Sequence, residues 1–170
     1  MSKKDELLKI FSLKLRTMLG NIDVDYDKLQ EIRLRVNGPL IVIYDNKEYF
    51  VTSQSQLVEQ DEDAYIILKN EIRETMEYIS NYSLYAFEEE IRQGFITITG
   101  GHRVGIVGKV VLDDNKIKSI KHISFINIRL SHQIKGCGDK VLPYLVDEYN
   151  NCYHTLIISP PRCGKTTLLR

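Results

Sequence analysis

The residues best placed to do chemistry stand together in the run Ser159-Pro160-Pro161-Arg162-Cys163-Gly164-Lys165-Thr166-Thr167-Leu168-Leu169-Arg170. Apart from its first position, this run follows the phosphate-binding pattern G-x-x-x-x-G-K-[ST], with Ser159 where the first glycine belongs. Each residue type has a physical reason to be there. Gly164 lets the backbone approach a phosphate, Lys165 reaches the β- and γ-phosphates, and the Thr166 hydroxyl holds Mg²⁺. Cys163 and Thr167 flank this triplet and complete the candidate nucleotide-binding set, with helix-start amides adding to the anion site. The cofactors implied are ATP and Mg²⁺. An apolar run, Leu156-Ile157-Ile158, precedes the loop and Leu168-Leu169 follows it, the context of a strand, a loop and a helix start. Phosphoryl transfer needs more: an acidic residue for the metal and a group that orients water. Neither follows before Arg170, so no residue is assigned as catalytic and turnover by this chain alone is not expected.

A second set of candidate chemical groups is cationic. Arg33 and Arg35 alternate with Ile32, Leu34 and Val36, which puts the two guanidinium groups on one face of a strand. Surface solubility is the simpler reading of that pair, and capture of phosphate or carboxylate the chemical one. Glu88-Glu89-Glu90 has no His or Cys at metal-ligand spacing beside it, and consecutive helix positions diverge, so it reads as a solvated face. His102, His122 and His132 are widely separated and carry no companion motif. Three cysteines without C-x-x-C spacing argue against a disulfide framework or a zinc site, and fit a reducing cytoplasm.

Composition bounds the rest. With 23 basic and 23 acidic residues in 170, the net charge is zero, and no global attraction to nucleic acid or membranes is implied. The charge is uneven, however. From Glu59 to Glu90 ten acidic residues face two basic ones, a local net of minus eight. Met1 to Gly20 is broken by seven charged residues and is neither a signal peptide nor a membrane span.

The elements that must position these groups follow from periodicity. Leu7, Leu8, Phe11, Leu15, Met18 and Leu19 predict one helix from about Lys3 to Leu19. Glu31 to Val36, a tight Asn37-Gly38 turn, Leu40 to Tyr44, an Asp45-Asn46 turn and Glu48 to Val51 predict an antiparallel meander. Helices are expected over Asp63 to Ile79 and Leu84 to Arg92, the second ending at Gly94. Phe95 to Ile98, His102 to Leu112, Lys116 to Ser124 and Phe125 to Leu130 read as strands, with Gly105 and Gly108 marking a bulge or close packing. Ser131 to Asp139 looks like a linker. A helix from Asp139 burying Val141, Leu142, Leu145, Val146 and Tyr149, then a strand from Tyr153 to Ile158, would lead into the loop.

Several stretches together resemble the stage III sporulation protein AA family of spore-forming bacteria. They are Glu31-Ile32-Arg33-Leu34-Arg35-Val36 with Gly38-Pro39-Leu40, Gly100-Gly101-His102-Arg103-Val104-Gly105, Ile126-Asn127-Ile128-Arg129-Leu130, Lys135-Gly136-Cys137 and the loop from Ser159 to Arg170. The resemblance is to the amino-terminal part of that family, which is similar to the hexameric ATPases of type II and type IV secretion. It implies an α/β protein: an α+β amino-terminal domain over 1–131, a linker over 132–138, and over 139–170 the truncated start of a RecA-like P-loop domain. It further implies a cytoplasmic ring, peripheral to a membrane complex through other sporulation-channel proteins, that energises a channel between mother cell and forespore. In the related motors, arginines of the amino-terminal region approach the nucleotide phosphates. Arg33, Arg35, Arg103 and Arg129 are the counterparts here, and sequence does not choose among them. Arg162 departs from the family pattern, standing where a glycine is usual.

Two other classes of function are carried alongside. Taken alone, the chain reads as a non-catalytic assembly module, because a helix–strand–helix fragment cannot bury both faces of a parallel strand. Nucleic-acid binding through Lys116, Lys118, Lys121 and Arg129 is the weakest reading.

Overall fold

The computed structural model describes residues 3–83, 87–114, 116–132, 136–160 and 163–169. Two compact units are present, Met1–Ser131 and His132–Arg170.

The first unit is a seven-stranded antiparallel sheet with helices against one face. Strand β1 (Leu29–Arg35) runs into the Asn37 turn, where a φ of 58° reverses the chain into β2 (Ile41–Tyr44). Asp45 and Asn46, both at positive φ, turn β2 into β3 (Lys47–Val51), and the short β4 (Leu57–Val58) closes that edge. The other half consists of β5 (Phe95–Ile98), β6 (His102–Asp113) and β7 (Lys116–Arg129). Spatial order is β4-β3-β2-β1-β7-β6-β5, so β1 and β7 meet at the centre. Alternation places Ile32 and Leu34 of β1, Ile126 and Ile128 of β7, and Val104 and Ile106 of β6 on the buried face. Helices α1 (Lys3–Leu8), α2 (Leu13–Asn21), α3 (Lys69–Ile79) and α4 (Glu88–Arg92) add Leu7, Leu15, Leu19, Ile72, Met76 and Ile91 to the same core.

Where the structure departs from periodicity, a named interaction is responsible. The expected single helix over Lys3 to Leu19 is two helices. The break is stabilised by Arg16, whose guanidinium donates to the carbonyls of Leu8, Lys9 and Phe11 at 3.1, 2.6 and 3.2 Å, satisfying the carbonyls left at the end of α1. Ser12 at the restart is buried and donates its amide to Thr75 Oγ1 of α3.

The helix expected from Asp63 begins at Lys69. Residues 64–67 are extended, because Ala64 bridges Thr52, Ile66 bridges Pro39, and the Ile67 amide donates to Gly38. Glu71 then fixes the helix start by accepting the Leu68 amide at 2.7 Å and the Tyr65 hydroxyl at 2.7 Å. Of the helix expected over Leu84 to Arg92, residues 84–86 lie outside the described residues, and α4 carries the remainder.

Lys116 to Arg129 is one continuous strand, not two. The bulge sits at Gly108, where the register slips between Val107 and Lys109 and His122 takes a φ of 49°. A Cβ on Gly108 would lie 2.6 Å from the Lys121 carbonyl oxygen, so the close packing read from its position in the sequence is present.

The second unit differs more from expectation. In place of a helix from Asp139, only a 3₁₀ turn at Leu142–Tyr144 forms, and Leu142, Tyr144 and Tyr149 are exposed. Residues 153–158 make no strand ladder; Leu156 is 82% and Ile158 83% exposed. Local order comes from Asp147, whose carboxylate accepts the amides of Tyr149 and Asn151 and the Asn151 side chain. A four-residue helix, α5 (Lys165–Leu168), follows the glycine of the loop.

Candidate nucleotide-binding site

The loop closes on its own lysine. Gly164 takes a φ of 79°, the left-handed conformation that a side chain resists, and turns the chain directly into α5. Lys165 follows, and its ammonium folds back to the start of the loop. It donates to the Ser159 carbonyl at 2.7 Å, to Ser159 Oγ at 3.1 Å and to the Pro160 carbonyl at 2.9 Å. Those acceptors match the three protons an ammonium has to give. The residue that breaks the glycine-rich pattern therefore supplies two of the lysine's contacts.

Nothing lies within 4 Å of where a Gly164 Cβ would be, so the position beside this glycine is open. Behind it, the Cys137 thiol donates to the Thr167 carbonyl at 3.1 Å, tying the segment after 136 to α5. Cys163 is exposed, Thr166 and Thr167 lie in α5, and the side chain of Thr166 lies outside what is described, as does Arg162. The donor set suits a polyphosphate: an ammonium, a left-handed glycine and the amides at the start of α5. With phosphate bound, Lys165 would exchange carbonyl partners for phosphate oxygens, and Thr166 would be the Mg²⁺ ligand that lets phosphate oxygens complete the ion's shell.

The four arginines are brought together in the first unit. Register places Glu31 of β1 opposite Arg129 of β7, which in turn lies opposite Arg103 of β6; Arg33 and Gly105 both face Asn127, and Arg35 faces Phe125. Directly opposed residues share a face, so Arg33, Arg35, Arg103 and Arg129 all project from the side of the sheet away from the helices. Arg103 and Arg129 would repel each other, and each has a partner that draws it aside. Arg103 stacks on the Phe95 ring at 3.8 Å, and Arg129 lies 3.5 Å from Glu31.

Glu31 is the group that reading for cations overlooks. Its side chain is only 13% exposed and also accepts from Arg33 Nε at 2.5 Å, while Arg33 reaches Glu48 at 2.8 Å. These hydrogen bonds hold the Arg33 guanidinium pKa above its ordinary value, Glu31 contributing most. The signal was in the sequence: Glu31, Arg33 and Arg35 at spacing two share a face. Arg35 is exposed.

Other candidates have contacts within the first unit. Glu88 and Glu89 pair with Arg92, and no group of metal-ligating residues occurs among the described residues. His102 accepts the Ser131 amide at 2.9 Å. Lys118, one of the basic residues considered for nucleic acid, pairs with Asp113 at 2.7 Å. No helix among the described residues is long and apolar enough to cross a membrane.

Comparison with known proteins finds a match that spans both regions. The family described as "Sporulation stage III, protein AA" matches over residues 1–170. The chain belongs to the stage III sporulation protein AA family. It is 35% identical over 167 residues to the stage III sporulation protein AA of Bacillus subtilis (strain 168), an alignment covering 98% of this chain and 50% of that protein. The chain thus spans about half the length of this curated relative. No solved structure matches it.

Proposed function

We propose that this member of the stage III sporulation protein AA family binds ATP·Mg²⁺ through the loop from Ser159 to Thr167 and serves as the amino-terminal part of a sporulation ATPase. Gly164, Lys165, Thr166, Thr167 and Cys163 form the nucleotide site, with Thr166 at the Mg²⁺. Support comes chiefly from the lysine: its ammonium is gathered over the loop by Ser159 and Pro160, ahead of a left-handed glycine with open space beside it. A left-handed residue at the start of a run of backbone amides is also the geometry of anion-binding nests.

In the same reading, 139–170 begins a RecA-like motor, and the arginine face of the sheet, Arg33, Arg35, Arg103 and Arg129, meets the phosphates from another domain or subunit of a hexameric ring. The motor would act from the cytoplasm, held at a membrane complex by other sporulation-channel proteins, to energise secretion or channel assembly between mother cell and forespore. Nucleic acid has no part in it. The near-complete exposure of Leu156 and Ile158 favours a second statement, that the 170-residue chain is by itself an assembly module without turnover.

Phosphate release tests both statements. Full-length protein with ATP·Mg²⁺ should release phosphate, and the 170-residue chain should stay at buffer background. Release by the short chain, or none by the full-length protein under conditions where it forms rings, would overturn the corresponding statement.

A further inference from the structure

At the centre of the arginine face stand a glycine and a side-chain amide that the fold itself does not require. Gly105 lies in the middle of β6, opposite Asn127 of β7 and Phe95 of β5. It does not take a positive φ. Apart from its chain neighbours, only the Asn127 carbonyl oxygen at 3.7 Å and Asn127 Cβ at 3.8 Å come within 4 Å of where its own Cβ would be, and both are ordinary contacts. Neither backbone nor packing therefore calls for glycine, which weakens the interior of a strand relative to alanine. Such a glycine marks a place where another group approaches the sheet closely.

Asn127 is the second observation. The oxygen of its side-chain amide is buried with no hydrogen-bond partner, and the nitrogen makes no hydrogen bond among the described residues. A buried acceptor left in that state is costly and calls for an explanation. Asn127 is partly exposed, so the nitrogen end of the amide is the one open to a ligand, and it is a donor.

The arginines around this pair are not equivalent. Glu31 holds both Arg33 and Arg129, and Glu48 holds Arg33 as well. Arg103 has no carboxylate partner among the described residues; it stacks on Phe95, the residue opposite Gly105, and so leans toward the glycine's row. Arg35 is also without a carboxylate, but it lies one row further on, opposite Phe125. Four arginines against Glu31 and Glu48 leave this face cationic, which suits an anion.

We propose that Gly105, Asn127 and Arg103 form a subsite for the polyphosphate chain of a nucleotide. A phosphoryl group seats over Gly105, accepts from the Asn127 amide nitrogen and is neutralised by Arg103, while Arg33 and Arg129 are positioning residues that Glu31 holds beside it. This rests on the reading of the arginine face as the one that meets phosphates, and narrows it to one arginine and a residue outside the arginine set.

The test uses this chain carrying Lys165→Ala, which removes the loop's ammonium, isotope-labelled for nuclear magnetic resonance and titrated with tripolyphosphate and then with ATP. Both should shift the side-chain signals of Asn127 and Arg103 saturably and together, and that of Arg129 less. Gly105→Ala should keep the fold, its methyl meeting only ordinary contacts, and weaken tripolyphosphate by about ten-fold; Asn127→Ala should weaken it by about the same factor. An unmoved Asn127 signal, or native affinity in either variant, would overturn the proposal. So would shifts with tripolyphosphate but none with ATP, or an equal response to citrate at the same ionic strength, which would mark an adventitious ion only. Because the loop is disabled in this chain, a failure here leaves nucleotide binding at Lys165 standing, and failure of the native loop to bind ATP leaves this result standing.

Discussion

Lys165 donates to Ser159 across six residues, at 2.7 Å to the carbonyl and 3.1 Å to the hydroxyl, and so joins the two ends of the loop. The carbonyl contact survives any substitution at 159, but the hydroxyl contact does not. Ser159→Ala removes one of three acceptors and should change ATP affinity by less than about ten-fold, the scale of one hydrogen bond to a charged group. Ser159→Gly, which restores the usual pattern, should bind at least as well as the native chain. Titration of ATP·Mg²⁺ into each variant of the full-length protein checks both.

Glu31 anchors two guanidinium groups on the arginine face, and its removal leaves Arg129 beside Arg103 without the carboxylate that draws it aside. Glu31→Gln should destabilise the first unit by about 1–2 kcal/mol, as the loss of charge-assisted hydrogen bonds at a partly buried site does. Urea denaturation reads the change as a lower midpoint. An unchanged midpoint would mean that the two ion pairs offset only their own desolvation.

Two glycines should respond to alanine for different reasons. At Gly108 the new methyl meets the Lys121 carbonyl oxygen at 2.6 Å and Ile120 Cγ2 at 2.9 Å, so Gly108→Ala should lower stability by about 1–3 kcal/mol through overpacking. At Gly164 the space is open but φ is 79°, so Gly164→Ala strains the loop by about 1–2 kcal/mol. The first variant should melt lower. The second, in the separate second unit, should leave the melting of the first unit unchanged and lose ATP affinity instead.

Tyr26 supplies a pH dependence. Burial pushes its hydroxyl from the ordinary value of 10 up to about 12, and that hydroxyl donates to the Leu19 carbonyl at 2.8 Å. The folded chain thus keeps a proton that the unfolded chain gives up between pH 10 and about 12. Raising pH through that window favours unfolding, and the contribution is complete below pH 10. Stability measured by urea at pH 8 and pH 11 should fall less steeply in Tyr26→Phe than in the native chain. An identical fall would contradict the buried-hydroxyl account.

Local rules carried much of the fold. Alternation of Ile32 and Leu34 with Arg33 and Arg35, and the residues Asn37, Asp45 and Asn46 at the turns, were enough to place the β1–β2–β3 meander. What periodicity missed was decided by contacts distant in sequence. Helical spacing runs unbroken from Leu7 to Leu19, yet Arg16 and Thr75 stabilise a break at Ser12. The helical pattern before Lys69 gave way to backbone bonds with Gly38 and Thr52. In the candidate site, the glycine and lysine were evident from their motif, but Ser159 looked like a defect and proved to be an acceptor. The apolar runs Val141 to Val146 and Leu156 to Ile158 have the composition of buried elements but not the burial, since apolar pattern alone forms no core without facing surfaces.

The central claim is that the loop around Lys165 holds a nucleotide. Calorimetric titration of ATP·Mg²⁺ into full-length protein, native and Lys165→Ala, addresses it most directly. The account predicts saturable binding by the native protein and a loss of at least about a hundred-fold in the variant, the ammonium being the site's principal cation. Absence of binding, or equal affinity in the two proteins, would contradict it.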